Sequence, residues 1–162
     1  MSERIESQES VEKPRGALFV IWNRADNTFL LEHRNDKSPY YPNMWNFPGE
    51  TAESTDADIE STVLRGITEE CGFTPERGEL HSFMDGLHKQ PHAPGSVKVF
   101  LIEVSDAGRV KEKPEGEREN AGMKWATLAE VEELIATKQF GFGQESFFDD
   151  LKAYIAKAEA AI

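Results

Sequence analysis

A single cysteine, Cys71, in 162 residues rules out an internal disulfide. That suits a reducing compartment, so a cytoplasmic location is expected. Long apolar runs are missing as well: ALFVIW (17–22) falls far short of a membrane span. Basic charge is scarce, with Lys and Arg at 18 against 30 Asp and Glu, a net charge of -12. Lacking a basic excess to displace counterions, the chain is not expected to bind nucleic acid or a membrane surface. A substrate carrying phosphates would meet repulsion that a metal ion has to offset. There is no internal repeat, no long linker and no signal-peptide pattern. Residues 1–13, MSERIESQESVEK, are polar and read as a flexible tail. The remainder, 14–162, is long enough to bury a core as one domain.

Within that unit, GALFVIWN (16–23) and TFLLEHR (28–34) are strand-like runs separated by the turn signal RADN, a hairpin pattern. A loop containing MWNFPGE (44–50) follows. Residues 55–71 carry a helical pattern opening with Thr55 and Asp58 at capping-box spacing and stopped by Gly72. GELHSFMDGL (78–87), SVKVFLIEVS (96–105) and AGMKWA (121–126) read as further strands. Thr127 and Glu130 form a second capping box ahead of a helix, and a C-terminal helix shows an apolar stripe through Phe147, Phe148, Leu151, Tyr154, Ile155 and Ala158. Strands, helix, strands and helices in that order predict an α+β domain. Phe140, Phe142, Phe147 and Phe148 are expected to dock the last helix, with a homodimer surface as the alternative.

The end of the first helix, LRGITEECGF (64–73), goes against helical preference. Glu69 and Glu70 stand in its last turn, where the helix dipole disfavours acids. Gly66 in its interior costs about 1 kcal/mol relative to alanine. At about 100° per residue, Glu70 falls between Ile59 and Val63 on the apolar stripe, so it points at the core edge. A partly buried carboxylate needs a cation or strong donors. Two partners answer that need: Arg65, four residues before Glu69, or a divalent ion, which takes carboxylates together with phosphate oxygens.

These residues also resemble the signature of the Nudix hydrolase family, which ends Arg-Glu-aliphatic-x-Glu-Glu-x-Gly-aliphatic. Arg65, Ile67, Glu69, Glu70, Gly72 and Phe73 match it in register. Trp45, Pro48 and Gly49 match the family's lead-in, and Trp125 with Thr127 looks like its strand-to-helix segment. The resemblance spans residues 16–137. The box departs from the family in three ways: Gly66 stands for the first Glu after the Arg, Glu50 stands for the second loop Gly, and there is one extra residue between Glu50 and Arg65. The isolated Glu of the pattern therefore falls on Asp56 or Ala57.

The resemblance implies a Nudix-like mixed β-sheet sandwiched between helices. It also implies hydrolysis of a nucleoside diphosphate linked to another group, with Mg²⁺, or alternatively Mn²⁺, as the cofactor. Carried over by position, Glu69 and Glu70 would be metal ligands and the Gly49 carbonyl a further one, with Arg65 holding a glutamate in place. Glu119, six residues before Trp125, would help activate water or bind metal, with a solvated loop charge as the plain alternative. Arg34 would face substrate phosphate, with a surface arginine as the plain alternative. Trp45 would stack on a base, with loop packing as the plain alternative. Glu50 is a candidate to replace the carboxylate missing at Gly66. A small nucleotide is the expected partner. The competing reading is a nucleotide-binding or regulatory module whose catalysis is impaired by Gly66. A diphosphate isomerase would need a catalytic cysteine, and Cys71 lies at the wrong place. His88 and His92 lie four apart in a loop with no cysteine beside them, which leaves zinc little support.

Overall fold

A computed structural model describes residues 13–117 and 119–161. The expected tail therefore lies almost wholly outside the described residues. Seven strands form one mixed sheet: β1 (Gly16–Asn23), β2 (Thr28–His33), β3 (Trp45–Asn46), β4 (Gly49–Thr51), β5 (His88–Lys89), β6 (Ser96–Val104) and β7 (Gly122–Thr127). Among the described residues, three α-helices accompany them: α1 (Ile59–Cys71), α2 (Leu128–Ala136) and α3 (Phe148–Ala160). None of the described helices is long and apolar enough to cross a membrane.

All eight residues of β1 are buried, as expected for an uninterrupted apolar run covered on both faces. Side-chain alternation divides it between two cores. Ala17, Phe19 and Ile21 pack with Val63, Ile67 and Cys71 of α1, whereas Leu18, Val20 and Trp22 pack with α2 and α3 through Val131, Leu134, Phe148, Leu151 and Ile155. The sheet is thus sandwiched between helices, as the α+β reading holds. Along one edge β1 pairs in parallel with β6, from Gly16 opposite Val97 to Asn23 opposite Val104. Its other edge is divided. β4 takes the start, at Gly16–Leu18, and β2 takes the end, at Trp22 and Asn23. Where those partners part, the sheet leaves room for a cavity.

Two elements differ from expectation. The first helix begins at Ile59, not at Thr55, because Asp58 is its N-cap and accepts from the Ser61 N–H at 2.8 Å. Residues 78–87 form no strand; apart from a lone bridge of His81 to Leu101, they leave the sheet. Phe83 packs instead on Phe147 and Tyr154, and Gly86 turns the chain at φ 72°. Aromatic burial against α3 here outweighs a strand ladder. The capping box at Thr127 and Glu130 is present on both sides. Phe140, Phe142, Phe147 and Phe148 are all buried in the protein's own core.

Candidate active site

Residues of β1, β2, β3, β4 and β6 and of the segments that connect them line a cavity of about 340 Å³, a size suited to a small ligand. Its lining includes Arg15, Glu32, Arg34, Asn46, Gly49, Glu50, Glu119 and Gln144. Arginines and carboxylates therefore face one space.

Arg34 sits just past β2. Its Nε donates to the Tyr40 carbonyl at 2.7 Å, and its guanidinium lies 4.7 Å from the Phe142 ring centroid. These contacts pre-aim the fork. Burial lowers its pKa, while the charge of Glu32 opposes that shift. Glu119 lines the cavity from the loop before β7, and its carbonyl accepts from Asn35 Nδ2 at 2.7 Å.

Gly49 and Glu50 come from β4. Phe19 N–H donates to the Pro48 carbonyl at 2.9 Å. Antiparallel alternation therefore directs the Gly49 carbonyl away from β1 and leaves it available as a donor oxygen. The Glu50 side chain leans over α1 at Gly66. One of its oxygens accepts from the Thr51 N–H at 3.1 Å and the other lies 3.4 Å from Arg65 Nη1. Burial raises the Glu50 pKa; Arg65 lowers it, and the charges of Glu69 and Glu70 raise it again. Glu70 behaves similarly: burial raises its pKa most, Lys113 at 3.7 Å lowers it, and Glu119 and Glu69 raise it.

Arg65 is the organiser of this end. It forks onto Asp56 and its Nη2 also donates to the Thr51 carbonyl at 2.9 Å. Its contact with Glu69 is longer, at 3.8 Å. Of the two neighbours Asp56 and Ala57, Arg65 engages Asp56. Its pKa is held well below the carboxylate range, first by the hydrogen bonds from Arg65.

The structure brings Arg34, Gly49, Glu50 and Glu119 to the cavity wall. Arg65, Glu69 and Glu70 are not among the lining residues, although Arg65 contacts both Glu50 and Glu69. Trp45 is also outside it; its ring stacks on His33 at 4.3 Å, with Lys124 Nζ 4.4 Å from the centroid. His88 is buried, with one ring nitrogen 2.8 Å from the Phe142 carbonyl and the other 3.3 Å from Ser146 Oγ, so both nitrogens are engaged within the protein. Cys71 is buried in the α1 core, where burial, reinforced by Glu70 and Glu32, pushes its thiol up to about 12.

Sequence reasoning missed Glu32. It lies on β2 in the cavity wall, where burial raises its pKa against the opposing charge of Arg34. Asn46 Nδ2 donates to one carboxylate oxygen at 3.3 Å and Asn120 Nδ2 to the other at 3.4 Å. The only signal in the sequence was an acid following the apolar run FLL. Two further buried atoms of cavity-lining residues, Asn46 Oδ1 and Gln144 Nε2, have no hydrogen-bond partner.

Among the described residues, no three His, Cys, Asp or Glu side chains are gathered tightly enough to hold a metal by themselves. The donors present are nonetheless hard oxygens: the carboxylates of Glu50, Glu69 and Glu70 and the carbonyl of Gly49. Mg²⁺ typically takes one or two protein carboxylates and completes its shell with water and phosphate oxygens. The residues therefore suit a site shared between protein and substrate, not a closed protein cage.

The chain matches the NUDIX domain family model over residues 12–151. No curated protein matches it significantly. Among solved structures it is similar to the NUDIX domain of Shewanella oneidensis NrtR complexed with ADP ribose. That likeness is at 17% identity and TM-score 0.66, covering 95% of this chain and 97% of that one. It is similar to a C. elegans Ap4A hydrolase binary complex at 21% identity and TM-score 0.65, covering 88% and 98% respectively. It is also similar to the MutT protein from Methanosarcina mazei Go1 at 22% identity and TM-score 0.61, covering 90% and 98%. At such identities these likenesses speak to the fold.

Proposed function

The chain belongs to the NUDIX family, and on that premise we propose that it is a divalent-metal-dependent hydrolase of the pyrophosphate linkage in a nucleoside diphosphate derivative. The observation that carries this reading is the cavity that arginines and carboxylates share. Arg15 and Arg34 supply positive charge for phosphate oxygens, while Glu50 and Glu119 face the same space. The complexes with ADP ribose and the Ap4A hydrolase among the similar folds support a nucleotide ligand of this kind.

In the reaction, water attacks one phosphorus of the anhydride and the bridging P–O bond breaks. The leaving phosphate keeps the electron pair, and the proton of the attacking water passes to a carboxylate. Mg²⁺ or Mn²⁺, when bound, neutralises phosphate charge and orients the water. Glu69, Glu70 and the Gly49 carbonyl would hold the ion. Glu119, which lines the cavity, would take the proton. Arg34 would bind phosphate with a fork already held by Tyr40 and Phe142, so little ordering remains to be done on binding. Arg65, tied to Asp56, would keep the glutamates in position.

One observation favours a second reading, a nucleotide-binding module without turnover: residue 66 carries no carboxylate, and the acids form no ready-made cage. A phosphate-release screen separates the two. Nucleoside triphosphates, sugar nucleotides, dinucleoside polyphosphates and NADH are tested with Mg²⁺ and with Mn²⁺. Turnover that EDTA abolishes is the expected result. Calorimetric binding of these nucleotides with no turnover of any would give the binding module instead.

A further inference from the structure

We propose that positions 50 and 66 share one carboxylate site, so that Glu50, delivered by β4, supplies the acidic group that a side chain at 66 on α1 would otherwise bring beside Glu69 and Glu70. This inference rests on the hydrolase reading above and adds a residue to it. The first observation is steric. Gly66 is buried in the interior of α1 and has ordinary helical φ, so the backbone does not demand glycine. Space does. A Cβ at 66 would stand 2.6 Å from Glu50 Cβ, 3.2 Å from Glu50 Cγ and 3.0 Å from Phe19 Cε1. Phe19 is fully buried, so making room there would disturb the packing around it. The stem of Glu50 therefore fills the volume that a side chain at 66 would occupy.

The second observation is where that stem leads. The Glu50 carboxylate lies on the cavity wall, within electrostatic reach of both Glu69 and Glu70. The Thr51 N–H and Arg65 engage one side of each oxygen, which leaves lone pairs for a cation. Two residues of the same wall, Asn46 and Gln144, also carry buried polar atoms without a hydrogen-bond partner, Asn46 Oδ1 and Gln144 Nε2. Positions 50 and 66 are thus sterically reciprocal: the stem of Glu50 fills the space that a side chain at 66 would need. The strand position also sets the carboxylate next in sequence to the Gly49 carbonyl.

The test uses the full chain and Mn²⁺ alone, titrated without substrate and followed by electron paramagnetic resonance, alongside thermal melting. Glu50→Gln should melt near wild type and bind Mn²⁺ about 10-fold more weakly or worse. Gly66→Glu alone should melt lower, because its side chain collides with Glu50. The exchange variant Glu50→Gly/Gly66→Glu should melt above Gly66→Glu and bind Mn²⁺ more tightly than Glu50→Gly. Wild-type Mn²⁺ affinity in Glu50→Gln would overturn the inference, as would a folded exchange variant no tighter than Glu50→Gly. Should the exchange variant fail to fold, Glu50→Gln alone decides. If Glu70→Gln abolishes Mn²⁺ binding and turnover while Glu50→Gln alters neither, this inference falls and the hydrolase reading stands. A wild-type protein with neither binding nor turnover ends both.

Discussion

Arg65 grips Asp56 with two parallel arms, Nε to Oδ1 at 3.2 Å and Nη2 to Oδ2 at 2.8 Å. Asp56 is further held by Thr62 Oγ1 at 2.7 Å and itself accepts from the Glu53 N–H at 2.9 Å. This ties the loop after β4 to the middle of α1. The same arginine reaches Glu50 and Glu69, so its aim fixes theirs.

A lysine at 65 keeps the charge and loses the fork. Arg65→Lys and Asp56→Asn should each lower the melting midpoint and slow hydrolysis. Because both break one unit, the double variant should be little worse than the worse single one. Melting and turnover of the four proteins form a double-mutant cycle, and additive losses would count against a shared role.

Glu70 offers the plainest test of the metal assignment. Glu70→Gln removes a half-buried charge among other acids without removing volume, so it should fold at least as well as wild type. Metal-dependent turnover should fall on the order of 100-fold. Thermal melting and a phosphate-release assay on one sample check both halves, and unchanged turnover would exclude Glu70 as a ligand.

Glu32 makes a prediction about pH. Burial raises its pKa above the ordinary 4.5. Below that value both folded and unfolded chains hold the proton, and the group costs nothing. As pH rises, the unfolded chain releases its proton first, so stability falls until the folded group also ionises. Glu32→Gln lacks this term. Urea midpoints of the two proteins should diverge from about pH 4.5 upward in favour of the variant; parallel curves would contradict the buried charge.

Cys71 should resist chemistry while the chain is folded. With its thiol pushed up to about 12, almost no thiolate exists at pH 8. A thiol reagent should leave the native protein untouched and react fully in guanidinium. Fast labelling of the native state would mean that the α1 core opens readily.

The parts legible in the sequence were those with a local cause. Periodicity marked α1, and apolar runs marked β1 and β6, with bounds that shifted by a few residues where Asp58 capped the helix. Glu69 and Glu70 stood out because they break helical preference within one turn. Glu32 did not, because the groups that hydrogen-bond it, Asn46 and Asn120, each come from a separate part of the chain. Phe83 likewise left the sheet for partners on a distant helix. That Asp56 is the partner of Arg65 was not legible either, because the pair forms only when the loop after β4 folds back on α1. The meaning of Gly66 depended on Glu50, sixteen positions earlier, leaning across it.

The parallel pairing of β1 with β6 has a consequence for the birth of the protein. Gly16 faces Val97, so during synthesis the apolar β1 emerges long before the strand that covers its edge. Closing so long a loop is slow, and contacts of high sequence separation delay folding. β1 is also the strand against which β4 and Gly49 are registered. The cavity wall therefore has no fixed scaffold until β6 arrives. Variants that weaken β6 should then appear first as aggregation of nascent chains, ahead of any loss of activity in the molecules that finish folding.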